Sequence, residues 1–235
     1  MKQCRYNNKR GEPHIILNQG FYKNYEFIVL CLNSHPCAYI CLTSNNLFYQ
    51  KHYDDINISV HGGLTFSENK LNKVLLHSKK YKTDVLSTIK RDWIIGWDYT
   101  HHGDYCAYIP FSSSDKKWTT EEITKECKDA INQLIELENK EFIKLIKKEY
   151  EEWTGYEDEP YITNDNKDEK ELWDFVICNI YINGEKIEEM EEKDYNIWKE
   201  KFDKIDKTEI WEFIDECNHP YDPFREHCDA DFYGV

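Results

Sequence analysis

No stretch of this sequence approaches the ~18 consecutive apolar residues that a membrane span requires. The first ten residues, Met1 to Arg10, are basic but lack the apolar stretch of a secretory signal. These absences lead us to expect a cytoplasmic protein with no membrane association. There is no Cys-x-x-Cys pair. The nine cysteines are odd in number and scattered, which excludes the dense disulfide framework of a small secreted domain. Most are expected to be small buried apolar residues. The G-x-x-x-x-G-K-[ST] and G-x-G-x-x-G phosphate cradles are missing too, as is any internal repeat. Positive charge is scarce, with 30 Lys and Arg against 45 Asp and Glu, a net charge of −15.

What is abundant is aromatic and acidic. Aromatic residues make up 15% of the 235-residue chain, with 17 Tyr and 7 Trp, so much of any core must be aromatic. The acid is unevenly placed. Residues 151–235 hold 27 acidic against 9 basic side chains, whereas residues 1–150 hold 18 against 21. A switch of this size near Tyr150 predicts two modules with different surfaces, residues 1–153 and 154–235.

Periodicity predicts an α+β protein: a small antiparallel or mixed sheet packed by a long helix, followed by an acidic β-hairpin and short-helix module. His14–Leu17, Tyr25–Leu32 and Cys37–Thr43 read as strands, the last two as a hairpin around Asn33–Pro36. Ile56–Val60 alternates apolar and polar, predicting a half-buried strand that resumes at Leu64–Ser67. Residues 68–92 read as an exposed, lysine-rich insertion, and Trp93–Asp98 as a buried strand. Thr119 and Glu122 form a capping box ahead of an apolar stripe at Ile123, Cys127, Ala130, Ile131 and Leu134. That predicts a helix running to about Trp153, bent or broken near Asn139. Leu172–Ile182 reads as a long strand turning at Asn183-Gly184, and Asp194–Lys204 and Thr208–Cys217 as short helices.

Two loops carry groups suited to chemistry. One is His61-Gly62-Gly63, the other Asp98-x-x-His101-x-Gly103-Asp104. Imidazole and carboxylate together suit acid–base work or a divalent metal, so His61, Asp98, His101 and Asp104 are the candidate catalytic or ligand-binding residues, with Asp54 and Asp55 as possible additions. The ordinary alternative is a pair of turns held by side-chain hydrogen bonds. Gly62 and Gly63 are candidate cofactor contacts through backbone amides presented to a phosphate; a tight turn or bulge explains them as well. Cys217, His219, His227 and Cys228 are the candidate metal ligands, in a zinc-like grouping of two Cys and two His.

The segment from about residue 37 to 135 resembles a family of small, uncharacterised proteins of phages, prophages and other mobile elements. The resemblance rests on Asp54-Asp55 followed by Val60-His61-Gly62-Gly63-Leu64-Thr65-Phe66-Ser67, and on Ile94-Ile95-Gly96-Trp97-Asp98-Tyr99-Thr100-His101-His102-Gly103-Asp104. It places His101 rather than His102 at the family's histidine position. Where the family often has Gly-His-Pro upstream, this chain reads Ser44-Asn45-Asn46. The resemblance implies a phage or mobile-element setting in a bacterial host, where such accessory proteins often counter host defences.

Two functions are consistent with these features. One is a non-enzymatic inhibitor whose acidic C-terminal part occupies the basic groove of a nucleic-acid-handling host protein, as a phosphate backbone would. Direct nucleic-acid binding is not expected of such a surface. The other is a sponge for a nucleotide-like small molecule, or a metal-assisted phosphoester hydrolase, built on His61, Asp98, His101 and Asp104. No particular cofactor is indicated.

Overall fold

A computed structural model describes residues 15–31, 34–69, 93–107, 113–154, 162 and 167–218. It is α+β, and the chain divides into two compact units, Met1–Glu138 and Asn139–Val235. That boundary falls inside the long helix, whereas the sequence places the change of charge near Tyr150.

In the first unit, strands β1 (Ile15–Tyr22), β2 (Tyr25–Cys31), β3 (Pro36–Leu42), β4 (Phe66–Glu68) and β5 (Trp93–Asp98) form one antiparallel sheet in the order β1-β2-β3-β5-β4. The hairpin of β2 and β3 and the strand at Trp93–Asp98 are as the sequence predicts. Register puts Phe27, Ile40 and Ile95 in one cross-strand row and Val29, Ala38 and Trp97 in the next. These rows pack with the stripe Ile123, Cys127, Ala130, Ile131 and Leu134 of helix α1 (Thr120–Thr154). Each Phe, Val, Ile or Leu among them contributes about 1.5–3 kcal/mol on leaving water, several times an exposed helical ion pair at about 0.2–0.5 kcal/mol. Packing therefore fixes where the helix lies. Its start is set by the predicted box, with the Glu122 amide donating to Thr119 Oγ1 at 3.2 Å and the Thr119 amide to Glu122 Oε2 at 2.8 Å. The helix runs through Asn139 without interruption.

The opposite face of the sheet is also apolar, with Ile28, Leu30, Cys37, Tyr39, Cys41 and Ile94 buried. That is why β2 and β3 read as continuous apolar runs. Gly96 is required in β5: a Cβ there would stand 2.5 Å from the Tyr39 ring.

Residues 56–60 differ from expectation. Ile56 and Ile58 are buried and Asn57 and Ser59 exposed, as the alternation predicts, yet among the described residues the segment pairs with no strand. Gln133 of α1 takes the ladder's place, accepting from the Ser59 amide at 2.7 Å and donating to the Ser59 carbonyl at 3.0 Å. The predicted insertion lies, from residue 70 to 92, outside the described residues.

The second unit begins with the rest of α1, whose Phe142, Ile146 and Tyr150 are buried. It continues with α2 (Glu169–Asn179), a two-stranded hairpin of β6 (Tyr181–Ile182) and β7 (Glu185–Lys186), α3 (Glu192–Lys204) and α4 (Thr208–Asn218). The strand expected over Leu172–Ile182 is a helix for most of its length. Its apolar residues at 172, 173, 175 and 176 follow the helical period, and Asp168 caps it by accepting from the Lys170 amide at 2.8 Å. Only Tyr181 and Ile182 are strand. The Asn183-Gly184 turn is as expected, with φ of +53° and +91°. The core is aromatic: Phe142 meets Trp198 at 5.0 Å, Trp173 meets Phe202 at 4.9 Å, and Tyr150 meets Phe175 at 5.4 Å between ring centres.

Candidate functional site

Three pieces of the first unit meet at one place: the turn at His61-Gly62-Gly63 after the extended segment, the loop that follows β5, and the first turns of α1. Asp104 is the junction. It is buried, and its Oδ2 receives His61 Nε2 at 2.6 Å and the His101 amide at 3.0 Å. Its Oδ1 receives Trp118 Nε1 at 2.7 Å. Burial pushes the Asp104 carboxyl up, but the Trp118, His61 and His101 donors outweigh burial and hold it below the ordinary value. An ionised Asp104 only accepts, so His61 donates to it through Nε2.

The His61 ring lies parallel to Tyr99, 5.1 Å between centres and 7° between planes, with Trp118 at 4.7 Å and the edge of His101 at 5.2 Å. Glu126 of α1 ties this arrangement to the helix. Its Oε1 accepts from the His61 amide and its Oε2 from the Tyr99 hydroxyl, both at 2.6 Å. The Tyr99 phenol is pushed up by burial first and by Glu126 next, so it stays a proton donor. Trp97 Nε1 donates to the same phenol oxygen at 3.0 Å.

Asp98, at the end of β5, accepts from the Thr100 amide at 3.0 Å, the Thr100 hydroxyl at 2.6 Å and the Thr65 hydroxyl at 3.3 Å. Burial raises this carboxyl; the Thr100 hydrogen bonds and the nearby His35 and His101 together lower it by more. His101 Nε2 stands 3.9 Å from Asp98 Oδ1, and among the described residues it has no hydrogen-bond partner. The ring fills the space over Gly62: a Cβ on that glycine, whose φ is +68°, would stand 1.8 Å from His101 Nε2. Gly62 is thus a glycine because His101 occupies its side-chain position. Gly63, at φ +85°, closes the turn by donating to the Val60 carbonyl at 3.0 Å.

The structure therefore brings His61, His101 and Asp104 into direct contact, with Asp98 beside His101. Asp54 and Asp55 belong to an exposed single turn of 3-10 helix capped by His52. Among the described residues no three His, Cys, Asp or Glu side chains converge as a metal site. Of the zinc-like group only Cys217 is described; His219, His227 and Cys228 lie outside. Sequence reasoning missed Trp118 and Glu126. Glu126 has a signal in retrospect, since it stands three after Ile123 and four before Ala130, on the border of the buried stripe.

Among its described residues the second unit has no such cluster, but several of its lysines lie over aromatic rings. Lys201 lies 3.9 Å from the centre of Trp198, Lys207 4.8 Å from Phe202, Lys199 5.4 Å from Trp173, and Lys147 5.1 Å from Phe213. Their stems cover aromatic rings and none is fully exposed. Glu171, Glu185, Glu189, Glu191, Glu192, Glu212 and Glu216 are all exposed.

Comparison with models of known protein families, with curated proteins and with solved structures finds no match for this chain.

Proposed function

We propose that the chain acts as an inhibitor that binds a basic, nucleic-acid-handling protein through the carboxylate surface of its second unit. The observation that carries this reading is the excess of acid: residues 151–235 hold 27 acidic against 9 basic side chains, and none of the described carboxylates of the second unit is buried. Acidic side chains outnumber basic ones three to one there, and Glu171, Glu185, Glu189, Glu191, Glu192, Glu212 and Glu216 all face water, so the surface carries a net negative charge. A groove built to neutralise phosphates meets the same sign of charge there. The phage or mobile-element setting that the resemblance implies makes that partner a host protein and the outcome counter-defence. No helix among the described residues is long and apolar enough to cross a membrane, so nothing in them diverts this surface to a bilayer.

The test uses the full chain as bait in a bacterial lysate at low and at high salt. A second bait carries Glu189, Glu191, Glu192, Glu212 and Glu216 changed to Gln. The reading expects nucleic-acid-binding proteins on the first bait, lost at high salt and on the neutralised bait. Retention of the same partners by the neutralised bait defeats it.

A further inference from the structure

We propose that Tyr181 anchors the acidic surface, its ring seating an arginine side chain of the basic partner. This rests on the inhibitor reading and names the contact that reading would use. The hairpin of β6 and β7 has two unlike faces. Its strands pair Tyr181 with Lys186 and Ile182 with Glu185, and the Ile187 amide extends the pairing by donating to the Ile180 carbonyl at 3.2 Å. Alternation turns Ile180, Ile182 and Ile187 inward, where none is more than 2% exposed, and Tyr181 and Lys186 outward. Tyr181 is 54% exposed, whereas every other aromatic residue described in the second unit is buried or half-buried. A tyrosine on an outward face brings a large, stiff ring to a partner at little cost in side-chain freedom. The Asn183-Gly184 turn, with both residues at positive φ, holds the two strands that carry it.

What surrounds the ring selects the partner's chemistry. Glu185, Glu188 and Glu189 follow it in the hairpin and the 3-10 turn Ile187–Glu189, and all three are exposed. The chain's own Lys186 already lies among them, its Nζ 5.6 Å from the Tyr181 ring centre and 3.6 Å from Glu188 Oε1. The first distance is near the outer limit of a cation–π contact, about 6 Å. Lys186 thus marks the place as attractive to a cation without covering the ring. A guanidinium suits it better than an ammonium: its plane stacks on an aromatic face while its N–H groups reach carboxylates at the rim.

The test measures binding of fluorescein-labelled deca-arginine and deca-lysine peptides to the full chain by fluorescence anisotropy at low salt. The proposal expects deca-arginine to bind about threefold more tightly than deca-lysine. Tyr181→Ala should weaken deca-arginine binding about fivefold and remove that preference, while Tyr181→Phe retains both, because the ring is the contact. Lys186→Ala should strengthen binding more than Lys193→Ala does, an exposed lysine whose loss changes the net charge equally. A thermal melt of each variant separates lost contact from lost fold. Deca-arginine binding that a folded Tyr181→Ala protein leaves unchanged overturns the anchor while the acidic surface stands. So does equal strengthening by the two lysine variants. If the unaltered chain binds neither peptide at low salt, the inhibitor reading falls and the anchor falls with it.

Discussion

The two units use ionised side chains in opposite ways. The first buries carboxylates: Glu26, Asp104 and Glu138 are each under a tenth exposed. Glu138 accepts from the Tyr25 hydroxyl at 3.1 Å and the Leu47 amide at 2.9 Å, much as Asp104 gathers three donors. The second unit buries none of its described carboxylates and buries a lysine, Lys207, instead. A buried carboxylate accepts several hydrogen bonds at fixed angles and can pin loops that have no regular structure of their own. A lysine stem works as an apolar cover with a single charge at its tip. Acid therefore organises the first unit, and in the second it is left over for the surface.

If that comparison is right, the largest effect of any single change falls on Asp104. Asp104→Ala strands the Trp118 indole, the His61 ring and the His101 amide together. Each buried donor without a partner costs about 1–3 kcal/mol, so a total loss of about 3–5 kcal/mol is expected. Urea unfolding followed by tryptophan fluorescence measures it. A loss below about 1 kcal/mol would mean that the loops are held by something else.

Next in size is Gly62→Ala. The new methyl meets His101, and the positive φ is unfavourable for alanine, so a loss of about 2–4 kcal/mol is expected. Here the double variant with His101→Ala is informative. Removing the ring relieves the clash and leaves only the backbone strain of about 1 kcal/mol, a coupling that additive sites would not show. Additive losses would place the His101 ring away from the Gly62 turn.

Acid acts on the same carboxylates more gently, because protonation removes charge and keeps the side chain. Asp98 and Asp104 are both held below the ordinary aspartate value of 3.8. A depressed folded value means that the unfolded chain binds protons first as pH falls. The contribution is present above about 3.8 and is lost as pH drops through the lower folded values. The urea midpoint should thus decline below about pH 4, and Asp104→Asn should show a shallower decline. Equal declines in both proteins would remove Asp104 from the account.

Much of this architecture was legible in the residues. β-branched and aromatic runs marked β2, β3 and β5, and Thr119 with Glu122 marked the start of α1, because these signals are local. What failed depended on partners distant in sequence. The alternation at 56–60 reported which side chains are buried but not that Gln133, far along the chain, would satisfy the backbone. At Leu172–Ile182, β-branched and aromatic composition suggested a strand, while the spacing of the apolar residues and the Asp168 cap specify a helix. At the site, the grouping of His61 with Asp98, His101 and Asp104 was legible, but the pairing was not. Local spacing joins Asp98 to His101, yet the tight contact runs from His61 to Asp104, 43 positions away. Trp118 and Glu126 enter only once the chain is folded.

The smallest expected effect is the sharpest check on the comparison. Lys207 is 9% exposed, lies over the Phe202 ring and reaches Glu169 at 3.3 Å. Glu169 itself is 62% exposed, so losing the lysine leaves no buried charge behind. Methionine has a similar unbranched stem and would keep the cover over Phe202. Lys207→Met is therefore expected to change stability by less than about 1 kcal/mol in either direction, well under the effect of Asp104→Ala. The difference follows from what each substitution leaves behind: stranded donors in the first unit, a solvated glutamate in the second. If Lys207→Met instead costs as much as Asp104→Ala, the buried lysine is a structural ion in its own right, and the two units do not differ in kind.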